Sequence, residues 1–162
     1  MAEIFIASDH RGYELKNKLV AALSGGAPLE EQINLYAEDG SQFLVTDLGP
    51  FEKDPDDDYN DSAIAVAHAV KDNPGSFGII VCGSGNGVSI QANRVKGVRA
   101  IAPTMTEIAR KGREHNNANV LCLSADYLNY EEVLNLITAF LITKFSGEER
   151  HVRRNNRLDE EV

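Results

Sequence analysis

Apolar residues along this chain follow two rhythms, short continuous runs and stripes that repeat every three to four positions. The runs predict five strands: Glu3 to Ala7, Phe43 to Leu48, Phe77 to Cys82, Val98 to Ala102 and Val120 to Leu123. Phe77-Gly78-Ile79-Ile80-Val81-Cys82 is apolar at positions facing both ways, as suits a central parallel strand covered by helices on two sides. The stripes predict helices between the strands. Leu15, Leu19, Ala22 and Leu23 mark one over Gly12 to Leu23. Ala63, Val66, Ala67 and Val70 mark a second that Asp61 can cap at its start. Val88 to Val95, Thr106 to Glu114 and Tyr130 to Phe145 supply three more, and a basic helix follows at about 148–158. Ser24 to Ser41, with Gly25-Gly26, Pro28 and Gly40, reads as a loop or short insertion with weak helical character. Phe51 to Asn60 is acidic, contains Pro55 and reads as a loop.

Strictly alternating strands and helices predict a doubly wound α/β domain, a five-stranded parallel sheet in a three-layer α/β/α arrangement. The 162 residues suit one domain spanning 1–162. In such sheets ligands collect at the carboxyl ends of the strands. The positions concerned are Ser8-Asp9-His10, Cys82-Gly83-Ser84 and Pro103-Thr104.

Composition narrows the function. A net charge of −9 gives little support to nucleic-acid binding. No apolar run approaches the roughly 20 residues of a membrane span, and Met1-Ala2-Glu3-Ile4 carries no basic leader, so a cytoplasmic protein is expected. The positive charge is concentrated late, with Arg150, His151, Arg153, Arg154 and Arg157 close together. Two cysteines, without CxxC or HExxH spacing, argue against a disulfide scaffold or a zinc site.

Four segments can carry chemistry. In Cys82-Gly83-Ser84-Gly85-Asn86-Gly87, alternate glycines allow a turn with backbone N–H groups facing inward, an anion nest followed by a helix start. It lacks the lysine of a Walker loop and the spacing of GxGxxG, so a nucleotide role is poorly supported. The plainer reading is a tight strand-to-helix turn. Cys82, just ahead of the nest, is either a reactive thiol or a small buried hydrophobe, whereas Cys122 lies inside a strand and reads as the latter. Asp9 and His10 together can bind hydroxyls and move protons, or Ser8 or Asp9 can simply cap a helix. His115 closes a helix, where it either stabilises the helix end or acts as an acid/base, and Asn116 follows it. Arg150 and Arg154, four apart, share a helix face that could clamp one phosphate or face solvent.

Taken in order, these segments resemble the ribose-5-phosphate isomerase B and galactose-6-phosphate isomerase family. Ser8-Asp9-His10-Arg11-Gly12 resembles its opening D-H-x-G, and Asp58-Tyr59 with Asp61 its D-Y-P-D, with Asn60 in place of proline. The Cys82–Ser89 segment resembles C-G-[ST]-G-x-G-x-S, and Arg113 to Leu121 resembles R-x-H-N-x-x-N-V-L. Phe145 to Arg154 resembles F-x-G-x-R-H-x-x-R, with one further residue ahead of Arg150. The resemblance runs from Ile4 to about Leu158.

The resemblance implies a Rossmann-like fold, no metal or other cofactor, and interconversion of D-ribose 5-phosphate and D-ribulose 5-phosphate through a cis-enediolate, a step of the pentose phosphate pathway. By the same likeness, His115 helps open the sugar ring, and Asp9 and His10 hold the ring oxygen or hydroxyls. Tyr59 lines the sugar pocket, Cys82 moves the proton, and Ser84 with Gly83, Gly85, Asn86 and Gly87 holds the enediolate. Asn116 lies beside the substrate, and Arg150 and Arg154 grip the phosphate. One branch of the family uses a glutamate as base at the position of Val88; here only Cys82 can serve. The resemblance also implies a homodimer, or a dimer of dimers, with shared sites, so that one chain holds an incomplete site. One departure stands out: Asp126 occupies a position where an arginine often helps bind phosphate. That carboxylate would repel a phosphate unless Arg153 or Arg11 compensates, or the substrate is a hexose 6-phosphate of the allose or galactose type. A non-catalytic sugar-phosphate-binding subunit is a third possibility, weighed down by the presence of Cys82, Asp9, His10 and His115.

Overall fold

The computed structural model describes residues 2–28, 32–33, 35–37 and 40–160. Five strands, β1 (Glu3–Ser8), β2 (Leu44–Asp47), β3 (Phe77–Cys82), β4 (Ala100–Ile101) and β5 (Val120–Ser124), form one sheet in the order β2-β1-β3-β5-β4. Every pairing is parallel. The helices are α1 (Tyr13–Leu23), α2 (Tyr59–Asp72), α3 (Asn86–Ala92), α4 (Thr106–Asn116), α5 (Tyr130–Ile142) and α6 (Glu149–Asn156), with a 3₁₀ turn at Arg157–Asp159.

Alternation along the strands divides the core in two. Ile4, Ile6, Ile79, Val81, Leu121 and Leu123 face a layer containing Leu19, Ala109, Leu136, Ile137 and Phe140, drawn from α1, α4 and α5. Phe5, Ala7, Ile80, Cys82, Val120 and Cys122 face Ala63, Val66, Ala67, Val88 and Ala92 of α2 and α3. Each of these fully buried leucines and isoleucines contributes about 2 kcal/mol. The sheet is therefore held by its two faces, which leaves the loops at its ends free to be polar. The expected three-layer α/β/α architecture with a five-stranded parallel sheet is what the chain adopts. Chain order reverses between β1 and β3, which makes their carboxyl ends the switch point where a crevice opens.

Element ends depart from the sequence expectation for local reasons. The β4 strand is two residues long rather than five, and side chains take the amide just before it and its own first amide. Asn119 Oδ1 accepts from Arg99 N at 2.8 Å and Asn93 Oδ1 from Ala100 N at 2.8 Å. The α5 helix stops at Ile142 rather than Phe145, where Thr143 turns extended and its hydroxyl donates to Ala139 O at 2.6 Å. The α2 helix begins at Tyr59, so Asp61 sits in its first turn and Asp58 at its cap position. The α3 helix begins at Asn86 rather than Val88, since Gly85, at φ +79°, lets the chain pass straight from turn to helix. In segment 24–41 the described residues form no helix, and Tyr36 makes an isolated antiparallel bridge to Gln42. Leu29, Glu30, Glu31, Asn34, Glu38 and Asp39 of that segment lie outside the described residues.

Candidate functional site

The switch point gathers residues from four loops. Asp9 leaves β1 with its N–H on Val81 O at 3.1 Å, which seats it against β3. Its carboxylate accepts from Arg11 N at 2.9 Å and from Gly12 N at 3.0 Å, so Asp9 organises the turn into α1. Gly12 has no alternative there, because a Cβ would stand 2.4 Å from Val81 O. Asp9 is buried and His10 half-buried, and both stand beside the end of β3.

His10 has a partner that its sequence neighbourhood does not reveal. Asp57 Oδ1 accepts from His10 N at 3.1 Å and lies 2.6 Å from His10 Nδ1. The acidic loop is carried to this position by α1, where Tyr13 Oη donates to Phe51 O at 3.0 Å and Lys53 pairs with Glu14 at 2.7 Å. Asp57 fixes the ring orientation of His10 and leaves Nε2 as the ring nitrogen available for other contacts. Nothing in the run Asp56-Asp57-Asp58 marks the middle one, and the residue next to Tyr59 is Asp58.

At the end of β3, Gly85 N donates to Cys82 Sγ at 3.1 Å. Asn86 N donates to Ser84 Oγ at 3.3 Å, so two amides of the turn already have partners within it, and the Ser84 hydroxyl keeps its own proton to donate. Tyr59 lies flat against Gly87, where a Cβ would come within 2.7 Å of its ring. Cys82 is buried, 4% exposed, at the mouth of the crevice. Cys122 is also buried, and desolvation, with a smaller contribution from Cys82, pushes its thiol far above the ordinary range, so it is inert filling.

The turn after β5 closes the third side. Ala125 N donates to Cys82 O at 2.9 Å, while Gly83 O accepts from Ser124 Oγ at 2.7 Å and from Asp126 N at 3.1 Å. Asp126 is not an isolated carboxylate, because it forms an ion pair with Arg11. Pro103 and Thr104 follow β4, one strand farther out than β5.

The remaining candidates form a second cluster at the other end of the sheet. His115 and Asn116 finish α4, ahead of β5, whereas Cys82 is in register with Ser124 at the finish of β5. The four residue steps of β5 alone separate these levels by about 13 Å. The His115 and His151 rings stack with centroids 4.4 Å apart at 35°. His151 Nδ1 lies 2.6 Å from Ser146 Oγ, and Asn155 Nδ2 bridges the carbonyls of His115 and His151, each at 2.9 Å. Burial first, then the neighbouring His115, holds His151 below the usual histidine range. Arg150 and Arg154 are exposed on α6 beside this cluster, with Arg150 Nε 2.8 Å from Glu148. Asp9, His10, Tyr59, Cys82, Ser84, Gly83, Gly85, Asn86 and Gly87 thus come together, and His115, Asn116, Arg150 and Arg154 come together elsewhere in the same chain.

This is an α/β protein with a thiol, a carboxylate and an oriented histidine at one switch point. Its sequence matches the family model described as ribose/galactose isomerase over residues 4–158. The chain belongs to that family of aldose–ketose isomerases. It is 39% identical over 155 residues to the probable ribose-5-phosphate isomerase B of Mycoplasma pneumoniae, covering 96% of this chain and 91% of that one. It is 36% identical over 159 residues to the ribose-5-phosphate isomerase B of Mycobacterium leprae, covering 97% and 88%. Among solved structures it resembles the Mycoplasma genitalium ribose-5-phosphate isomerase B with bound ribulose-5-phosphate, at TM-score 0.83, 39% identity and coverage of 96% and 93%. The Thermotoga maritima ribose 5-phosphate isomerase matches with TM-score 0.83, 37% identity and 99% coverage of both chains. No helix among the described residues is long and apolar enough to cross a membrane.

Proposed function

We propose that the chain interconverts D-ribose 5-phosphate and D-ribulose 5-phosphate, with Cys82 as the proton-transfer base. The observation that carries the reading is the Gly85 N–H directed at the Cys82 sulfur at 3.1 Å, in a crevice that also holds Asp9 and His10. A sulfur that accepts a backbone hydrogen bond can carry the thiolate charge that a base needs. The relative from Mycoplasma genitalium, solved with ribulose-5-phosphate, supports the choice of substrate.

In the step proposed, the open-chain aldehyde presents C2 to the Cys82 thiolate. The thiolate takes the C2 proton, and the electron pair moves through the C1–C2 bond onto O1 to give a cis-enediolate. The Ser84 hydroxyl and the turn from Gly83 to Gly87 meet that charge in a site walled by buried β3 and β5. The proton returns from sulfur to C1, and the proton on O2 passes to O1, which leaves the ketose. Asp9 and the Asp57-oriented His10 handle the ring oxygen and hydroxyls. No bond in this sequence requires a metal or a second substrate.

Ring opening by His115 and phosphate binding by Arg150 and Arg154 require those residues close to Cys82, and proton transfer needs contact at about 3 Å. A single chain keeps them apart, so the reading includes a homodimer in which the amino-end cluster of one copy faces the switch point of the other. The ion pair with Arg11 meets the charge of Asp126 locally, which removes the specific reason to prefer a hexose 6-phosphate. The test is ribose 5-phosphate turnover in the presence of a chelator, wild type beside Cys82→Ala. Ketose from wild type and at least a thousandfold less from the variant is the expected result. Equal turnover by the two would remove Cys82 as base.

A further inference from the structure

The pair formed by Arg11 and Asp126 is built into the crevice rather than scattered on the surface. Asp126 is fixed by its own N–H on Gly83 O at 3.1 Å. Arg11 is fixed at its root by its N–H on the Asp9 carboxylate at 2.9 Å. The two side chains meet over the Gly83 backbone, where a Cβ would stand 2.8 Å from Arg11 Nε and 2.9 Å from Asp126 Oδ2. Only glycine at 83 lets the guanidinium lie there, one residue from the Cys82 sulfur. The Arg11 side chain nevertheless remains 57% exposed, and a guanidinium has five donors, of which Asp126 engages one end. An ion pair this exposed adds little to stability, so folding does not account for the arrangement.

The charge around it sharpens the point. Of Asp9, His10, Arg11, Asp57, Tyr59 and Asp126, only Arg11 carries a permanent positive charge, and the loop in front adds Glu52, Asp54, Asp56 and Asp58. Lys53 of that loop is held by Glu14 at 2.7 Å, so within one chain Arg11 is the cation beside the end of β3 that a sugar phosphate meets. We propose that Arg11 is a substrate-binding residue that contacts the phosphate dianion, and that Asp126 positions it. This inference rests on the isomerase reading above. The phosphate keeps its charge throughout the reaction, so a contact to it is made equally in ground and transition states and is read in KM rather than kcat.

The experiment compares ribose 5-phosphate kinetics for wild type, Arg11→Ala, Arg11→Asp and the double variant Arg11→Asp/Asp126→Arg, with thermal unfolding of each. Arg11→Ala is expected to raise KM about tenfold and Arg11→Asp further, with kcat within about threefold and little change in Tm. The double variant, which returns a cation to the same place over Gly83, is expected to recover KM to within about threefold of wild type. An unchanged KM in Arg11→Ala, a loss confined to kcat, or a double variant no better than Arg11→Asp overturns the role assigned to Arg11. Those results presuppose wild-type turnover, and its absence would instead overturn the reading beneath.

Discussion

The amide of Gly85 stands 3.1 Å from the sulfur of Cys82, three residues back along the chain. That contact exists because Gly85 occupies the left-handed region at φ +79°, which folds the turn back on the strand it has just left.

A side chain at position 85 is therefore expected to cost function more than stability. In Gly85→Ala, the left-handed backbone costs about 1 kcal/mol, and the new Cβ meets Cys122 O at 3.5 Å, an ordinary contact. The variant should fold with a slightly lower Tm and lose kcat by a much larger factor, because the amide shifts away from the sulfur. Denaturation and steady-state kinetics on one preparation check the two effects together.

Asp57 is expected to act through His10. Replacing Asp57 by Asn keeps the shape and removes the charge that holds the ring, so kcat/KM should fall about tenfold while Tm stays nearly constant. An Asp57→Asn enzyme with the wild-type kcat/KM would make this contact merely a loop tether.

The buried Lys16 is a stability element. Its ammonium is fully enclosed and bonds both oxygens of Asp47 at 2.8 and 2.6 Å, close to the rings of Tyr13 and Phe51. Removing one partner leaves a charge without its counterpart, so Lys16→Ala should lose about 3 kcal/mol in urea unfolding. Lys16→Met/Asp47→Leu should lose less than the single variant.

His151 sets a pH dependence of stability. Its folded pKa is depressed from 6.5, by burial and then by His115. The unfolded chain therefore binds a proton that the native state refuses, and the native advantage is intact above 6.5 and is lost as pH falls through the folded value. Tm should drop between pH 7.5 and 5 in wild type, and His151→Asn should flatten that drop.

The sheet was legible because β3 and β5 are apolar on both faces and the stripes on α2 and α5 are regular. What was not legible depends on partners far away in sequence. Lys16 looks like a surface residue beside Leu15 and Leu19, and only Asp47, 31 positions on, makes it a core residue. At β4, Asn93 and Asn119 take the amides of Ala100 and Arg99 from 7 and 20 positions away. In the site, the motifs drew attention to Asp9, His10, Cys82 and the glycines, which meet at the switch point. They could not identify Asp57 within its acidic run, and they left Arg11 and Arg153 both open as the cation beside Asp126, because both contacts join separate loops.

The central claim is that isomerisation takes place at a site divided between two copies of the chain. Mixing Cys82→Ala with His115→Ala, each inactive alone, tests it most directly. After exchange of subunits, a dimer with one copy of each variant contains one site with both residues intact, and the account predicts activity approaching about a quarter of wild type for random pairing. A mixture as inactive as its parents, with exchange demonstrated by mass, would contradict the division of the site between chains.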